Sequence, residues 1–156
     1  MSLAALASLT LAGCVTAADR AAYREQSRSS WSAMASDVAK PQGSAAIVTE
    51  EARKAGVPAN LAVAVMRVES GGRCAARNHR AVGLMQTVPA TARGEGVHGS
   101  LTDCRTGARA GVLYLRRAIA IHGPGCAGVS AYNHGVHAPS RCTGYGRRVL
   151  RLAQGR

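Results

Sequence analysis

The sequence predicts a mainly α, single globular domain, and three observations predict it. Apolar residues recur at three-to-four spacing wherever a segment is long enough to carry a period. Glycine and proline punctuate those segments at the places where helices stop and start, and no stretch alternates apolar with polar residues as a strand would. There is no internal repeat. A chain of 156 residues, 47% of them apolar, has room for one such domain and a targeting segment.

The targeting segment comes first. Residues 3–11 form an apolar run too short to remain as a membrane span but suited to the core of a signal peptide. Leu11-Ala12-Gly13-Cys14 then resembles the lipobox of bacterial lipoproteins, where small residues admit the peptidase and the cysteine becomes the lipid-carrying first residue. The expectation is a lipoprotein signal peptide over 1–13, lipidation at Cys14, export to the periplasm and anchoring at the outer membrane. Cleavage after Val15-Thr16-Ala17 is the other reading and would release a soluble periplasmic protein; no basic residue precedes Arg20. Residues 14–43, rich in Ala, Ser and Arg and holding the only tryptophan, Trp31, read as a lipid-anchored tether. A helix over 18–28 packed on the domain is the alternative.

The folded domain is expected over 44–156. Ile47, Glu51 and Ala55 set the phase of a first helix that Gly56 ends. Pro58 suits the first turn of a second, in which Leu61, Val65 and Val68 share a face and Glu69 is delivered just before Gly71-Gly72. A short helix over 87–93 is opened by Pro89. A long one over 103–122 carries Val112, Leu115 and Ile119 along one face, with Asp103 as its N-cap, and Gly123-Pro124-Gly125 breaks it. Two further helices are expected over 126–133 and 143–154.

The formal charge is +12, and of the 20 basic residues only Lys40 and Lys54 are lysines. Such a surface attracts polyanions. Nucleic acid is not the expected partner, because zinc-finger spacing, an RNP-like aromatic pattern and a basic heptad region are all missing. An anionic lipid surface and the acidic peptides of a cell wall answer the same charge. With Cys14 removed or lipidated, Cys74, Cys104, Cys126 and Cys142 remain, an even set that fits export and two disulfides in any of three connectivities. No metal or other cofactor is expected: there is no C-x-x-C, and His134 with His137 makes only a weak H-x-x-H.

Glu69 is the residue with chemistry in it. A carboxyl at the C-terminal end of an apolar helix meets a dipole and a desolvated setting that both disfavour its charge, so it should hold its proton to a higher pH than usual. A carboxyl protonated near neutral pH can protonate a glycosidic leaving oxygen. Glycosidases usually set a second carboxylate across the bond, yet beyond Arg53 the only other acids are Glu95, between two glycines, and Asp103. This scarcity favours a mechanism in which Glu69 is first acid and then base, and the substrate's own hydroxyl is the nucleophile.

Four ordered motifs then resemble lytic transglycosylases of the SLT type, a goose-lysozyme-like family. They are Glu69-Ser70, Gly83-Leu84-Met85-Gln86, Ala131-Tyr132-Asn133, and Tyr145 within Gly144-Tyr145-Gly146-Arg147-Arg148-Val149. Pro89-Ala90-Thr91-Ala92 and Gly107-Ala108 fall in the family's order between them. The resemblance implies a lysozyme-like domain with a glycan-binding cleft. Glu69 is then the catalytic acid and base, and Ser70, Met85, Gln86, Tyr132, Asn133 and Tyr145 contact the substrate or, for Ser70 and Tyr145, stand beside Glu69. It also implies, through a small cysteine-bearing branch of such enzymes, the pairings Cys74 with Cys104 and Cys126 with Cys142. Arg77 and Arg80 replace a Ser and a Gly common in the family, and His134 follows Asn133 where a small residue is common; the loop between the first two motifs should be more basic as a result. The implied substrate is peptidoglycan, cleaved between its MurNAc and GlcNAc sugars with 1,6-anhydro ends. A hydrolytic muramidase of the same fold, or a non-catalytic wall-binding scaffold serving secretion or cell-wall machinery, are the other functions weighed.

Overall fold

A computed structural model of the chain describes residues 43–156; the signal-peptide run, Cys14, Trp31 and the tether up to residue 42 lie outside the described residues. Six helices follow in order: α1 (Ser44–Ala55), α2 (Ala59–Ser70), α3 (Pro89–Gly94), α4 (Cys104–His122), α5 (Cys126–His134) and α6 (Gly144–Ala153). No strand forms among the described residues. Two isolated antiparallel bridges, Arg77 with Val82 and Val82 with Thr87, shape the loop between α2 and α3. Among the described residues no helix is long and apolar enough to cross a membrane.

The ends lie within a residue or two of where the sequence puts them, for local reasons. Asp103 caps α4, its side chain accepting from the Thr106 N–H at 2.8 Å. Pro89 stands in the first turn of α3, whereas Pro58 is the cap residue of α2, one position outside it. Gly71 takes φ 62°, the left-handed turn that halts α2 directly after Ser70, and its N–H closes on the Arg67 carbonyl.

The helices hold together as a ring. α1 packs on α2 and α4, α4 on α5, α5 on α6, and α6 returns to α2, while α3 leans on α4. The interior of this ring is filled by Val48, Leu61, Val65, Met66, Leu84, Met85, Val112, Leu115, Val129 and Val149. Each of the larger aliphatic side chains there contributes roughly 1.5–3 kcal/mol by leaving water. Of these ten, Leu84 and Met85 come from the loop between α2 and α3 and not from a helix. Room for Met85 exists because α4 carries Gly111 beside it, where a Cβ would overlap the Met85 side chain.

The cysteines pair as the resemblance implies. Cys74 and Cys104 join the loop after α2 to the first residue of α4, with Cα atoms 4.8 Å apart. Cys126 and Cys142 join the first residue of α5 to the loop before α6, at 5.0 Å. Both spacings lie in the normal range for disulfides.

Candidate active site

Glu69 sits in the last turn of α2, half-buried, in the wall of a cavity of about 640 Å³. The glycine stop after Ser70 ends the helix there, so the carboxyl projects beside the α2 C-terminus instead of being covered by a further turn. Tyr145, from the first turn of α6, donates its hydroxyl to Glu69 Oε1 at 2.6 Å. Burial raises the Glu69 pKa above the ordinary carboxylate value, and the Tyr145 hydrogen bond opposes this in part. Burial, followed by the charge of Glu69, pushes the Tyr145 hydroxyl far up, so it remains a donor at any physiological pH.

Tyr145 reaches Glu69 because α6 is pinned to α5 at its start. The buried Ser130 Oγ accepts from both the backbone N–H and the hydroxyl of Thr143, each at 3.0 Å, and Thr143 is the residue that opens α6. The Cys126–Cys142 bridge fixes the same junction one residue earlier.

Residues 83–87 are held from three sides. Ser70 Oγ donates to the Leu84 carbonyl at 2.6 Å, Tyr132 donates its hydroxyl to the Met85 carbonyl at 2.6 Å, and Gln86 Nε2 donates to the Gly83 carbonyl at 2.9 Å and the Ala76 carbonyl at 3.1 Å. The four sequence motifs are therefore wired to each other: the first and third grip the second, and the fourth grips Glu69. Gln86 is the only non-glycine residue with positive φ, 49°, among the described residues. A backbone held in that sparsely populated region inside a cavity wall is the kind of strain that surrounding bonds must over-determine. Its result is that Met85 turns into the core while Gln86 turns to the cavity.

Two of the expected contacts are corrected by this arrangement. Met85 has no exposed surface and packs among core residues, so it does not line a groove. Ser70 is 3% exposed, and its hydroxyl is spent on the Leu84 carbonyl and the Gly72 N–H, so it positions the loop and touches no ligand. The others do face the cavity or the acid. Gln86, Tyr132 and Asn133 line it with Glu69, the Gln86 amide oxygen making no hydrogen bond among the described residues, and Asn133 is exposed at the end of α5. Tyr132 is buried with its ring 5.4 Å from that of Tyr114, and burial and the Glu69 charge hold its hydroxyl protonated.

The cavity also contains residues that sequence reading did not single out. Tyr114, from the middle of the long helix α4, lines it and accepts the Val136 N–H at 3.3 Å; nothing in its spacing separates it from core. Thr87 and Val88 from the loop and Thr91 from α3 complete one side, and Asn78 and His79 form the rim beside Arg80, which the sequence had already marked as a departure from the family.

Glu69 is the only carboxyl among the described residues that line the cavity. Glu95 is bonded to Arg117 at 3.2 Å and Asp103 is used as the α4 cap, lining a different cavity. Among the described residues no group of three or more His, Cys, Asp or Glu is placed to hold a metal ion. What the arrangement can do is donate one proton from a half-buried acid to a ligand in a cleft, with a neutral phenol beside the acid to take up the charge left behind.

The family model described as Transglycosylase SLT domain matches residues 46–148. Among curated proteins no match to the chain was found.

Proposed function

The chain belongs to the transglycosylase SLT-domain family, lysozyme-like enzymes of the lytic-transglycosylase type that act on peptidoglycan, and from that premise we propose that it cleaves the bond between MurNAc and GlcNAc with Glu69 as its one catalytic carboxyl. Glu69 begins protonated. Its proton passes to the oxygen that leaves with GlcNAc as the bond from that oxygen to C1 of MurNAc breaks. The carboxylate left on Glu69 then takes the proton from the C6 hydroxyl of the same MurNAc, whose oxygen closes on C1. The products are a free GlcNAc hydroxyl and a 1,6-anhydro-MurNAc end; no water is consumed and Glu69 is returned to its acid form.

The observation that supports this reading is the solitary carboxyl in the cleft. A hydrolase of the two-carboxylate kind needs a partner at roughly 5–9.5 Å across the bond, and the two other acids of the domain beyond α1 are committed to Arg117 and to the α4 cap. Tyr145 complements the acid: it stays a donor throughout, so it stabilises the carboxylate formed midway without competing for the proton. Gln86, Tyr132 and Asn133 offer amide and aromatic groups to N-acetylated sugars.

The test is the mass of fragments released from purified cell wall by the protein and by Glu69→Gln. Anhydro-ended fragments, lighter by one water than hydrolysed ones, should appear with the first and vanish with the second. Fragments of hydrolysed mass would point to the muramidase reading, and unchanged release by the variant to another acid. We further propose that Cys14 carries lipid and confines the enzyme to the membrane face of the wall; a Cys14→Ser protein should leave the membrane fraction, and retention there would refute the anchor.

A further inference from the structure

The cleft contains nitrogen-bearing side chains that bond cleavage does not use. Asn78 Oδ1 accepts the backbone N–H of Arg80 at 3.0 Å and of Ala81 at 2.8 Å, folding the chain into a tight turn that sets His79 and Arg80 at the cavity rim. Both are exposed, and neither is paired with an acid among the described residues. On the α5 side His134 lines the same cavity, and both of its ring nitrogens are screened from water without a hydrogen-bond partner among the described residues. The Thr87 hydroxyl, in the lining of the same cavity, is likewise buried without a hydrogen-bond partner among the described residues.

Unpaired buried polar groups cost on the order of 1–3 kcal/mol each, and a folded domain keeps them where a ligand supplies the missing bond. Arg80, the cation of this rim, has no acid partner among the described residues, so the group that would complement it is an anion. The one carboxyl among the described lining residues, Glu69, is bonded to Tyr145 and makes no salt bridge with His79 or Arg80.

We propose that His79, Arg80 and His134 form a carboxylate-recognising edge of the cleft, by which the enzyme selects glycan that bears free carboxylates over neutral N-acetylated glycan. The inference rests on the peptidoglycan reading above and narrows its substrate. Arg80 brings a fork of donors that matches a carboxylate. His134, in either neutral tautomer, has one N–H to give. The carboxylate has two sources on a wall strand: the stem peptide, or the lactyl group of MurNAc once the peptide has been removed.

The experiment compares wild type, Arg80→Gln, Arg80→Lys and His134→Leu. Cleavage is followed on peptide-bearing strands and on peptide-stripped strands, and binding on a neutral N-acetylglucosamine oligomer. Arg80→Gln should raise KM about fivefold on carboxylate-bearing strands, as befits a charge-assisted bond at an exposed site, and leave kcat and binding of the neutral oligomer as they were. Arg80→Lys should restore part of the loss. His134→Leu should raise the same KM and also raise the melting temperature, since the orphaned nitrogens are gone. A rise confined to peptide-bearing strands assigns the carboxylate to the stem peptide, a rise confined to peptide-stripped strands assigns it to the freed lactyl group, and a rise on both kinds means that the edge takes either. An unchanged KM in Arg80→Gln, or an equal loss of binding to the neutral oligomer, overturns the edge while leaving the cleavage reading intact. Failure of wild type to cleave either strand overturns both.

Discussion

Each of two cavities in this domain holds a glutamate, and the glutamates are handled in opposite ways. In the cavity of about 550 Å³ beside α1 and α4, the buried Glu51 accepts from Lys54 Nζ at 3.2 Å and Arg105 Nη1 at 3.0 Å. In the other, the one side-chain partner of Glu69 among the described residues is the neutral hydroxyl of Tyr145. Cations beside Glu51 make it part of an ion pair that ties α1 to α4. No cation lies within bonding reach of Glu69 among the described residues, so burial works against its charge, which is what the proposed role of proton donor requires. On the proposed reading, the presence or absence of a cation separates structural glue from chemistry.

The largest effect should follow from removing the proton. Glu69→Gln keeps the shape and an acceptor for Tyr145, and should cut cleavage by about 10²–10⁴-fold, the usual worth of a general acid, with an unaltered circular dichroism spectrum. Next comes the bridge that fixes the loop after Glu69 to α4: replacing Cys74 and Cys104 by Ser should cost about 2–4 kcal/mol in urea unfolding and lower cleavage as well. Glu51→Gln should cost only about 1 kcal/mol, because its cationic partners are half-exposed, and cleavage should survive. A comparable activity loss in Glu51→Gln and Glu69→Gln would erase the contrast between the cavities.

Smaller effects lie in the pH profile. Glu69 donates only while protonated and its pKa is raised by burial, so cleavage should persist above the ordinary carboxylate range and fall as pH rises through the raised value. The Tyr145 bond favours the carboxylate, so Tyr145→Phe should move this falling limb to higher pH while slowing the maximum rate; a limb displaced downward would contradict the assignment. Stability follows the same proton. A carboxyl whose folded pKa exceeds its unfolded one contributes stability that is complete below the unfolded value and is lost as pH rises through the folded value. Glu69→Gln should therefore melt above wild type near neutral pH, and the gap should close in acid.

The helices were legible because their signals are local. Gly56 and Gly71 end α1 and α2, Asp103 starts α4, and Val112 and Leu115 mark its buried face without reference to anything distant. Glu69 was legible for the same reason, being an acid at the end of an apolar helix. The loop at 71–88 was not. Whether Met85 or Gln86 faces the cleft depends on a positive φ at Gln86 and on bonds from Ser70 and Tyr132, residues from other parts of the chain. Ser70 was read as a contact only through the resemblance, and the fold shows its hydroxyl taken by the Leu84 carbonyl. Tyr114 was invisible because a tyrosine inside an amphipathic helix has the pattern of core. His134 stood out only as an unusual neighbour of Asn133, and its lack of partners is a property of three dimensions.

The most direct test of the central claim, one carboxyl and a substrate hydroxyl in place of water, is cleavage of purified wall in water enriched in heavy oxygen. New MurNAc ends should carry no label, because the oxygen that closes on C1 comes from the sugar itself. Label at those ends in proportion to the enrichment would mean that water is the nucleophile, and the single-carboxyl account would be wrong.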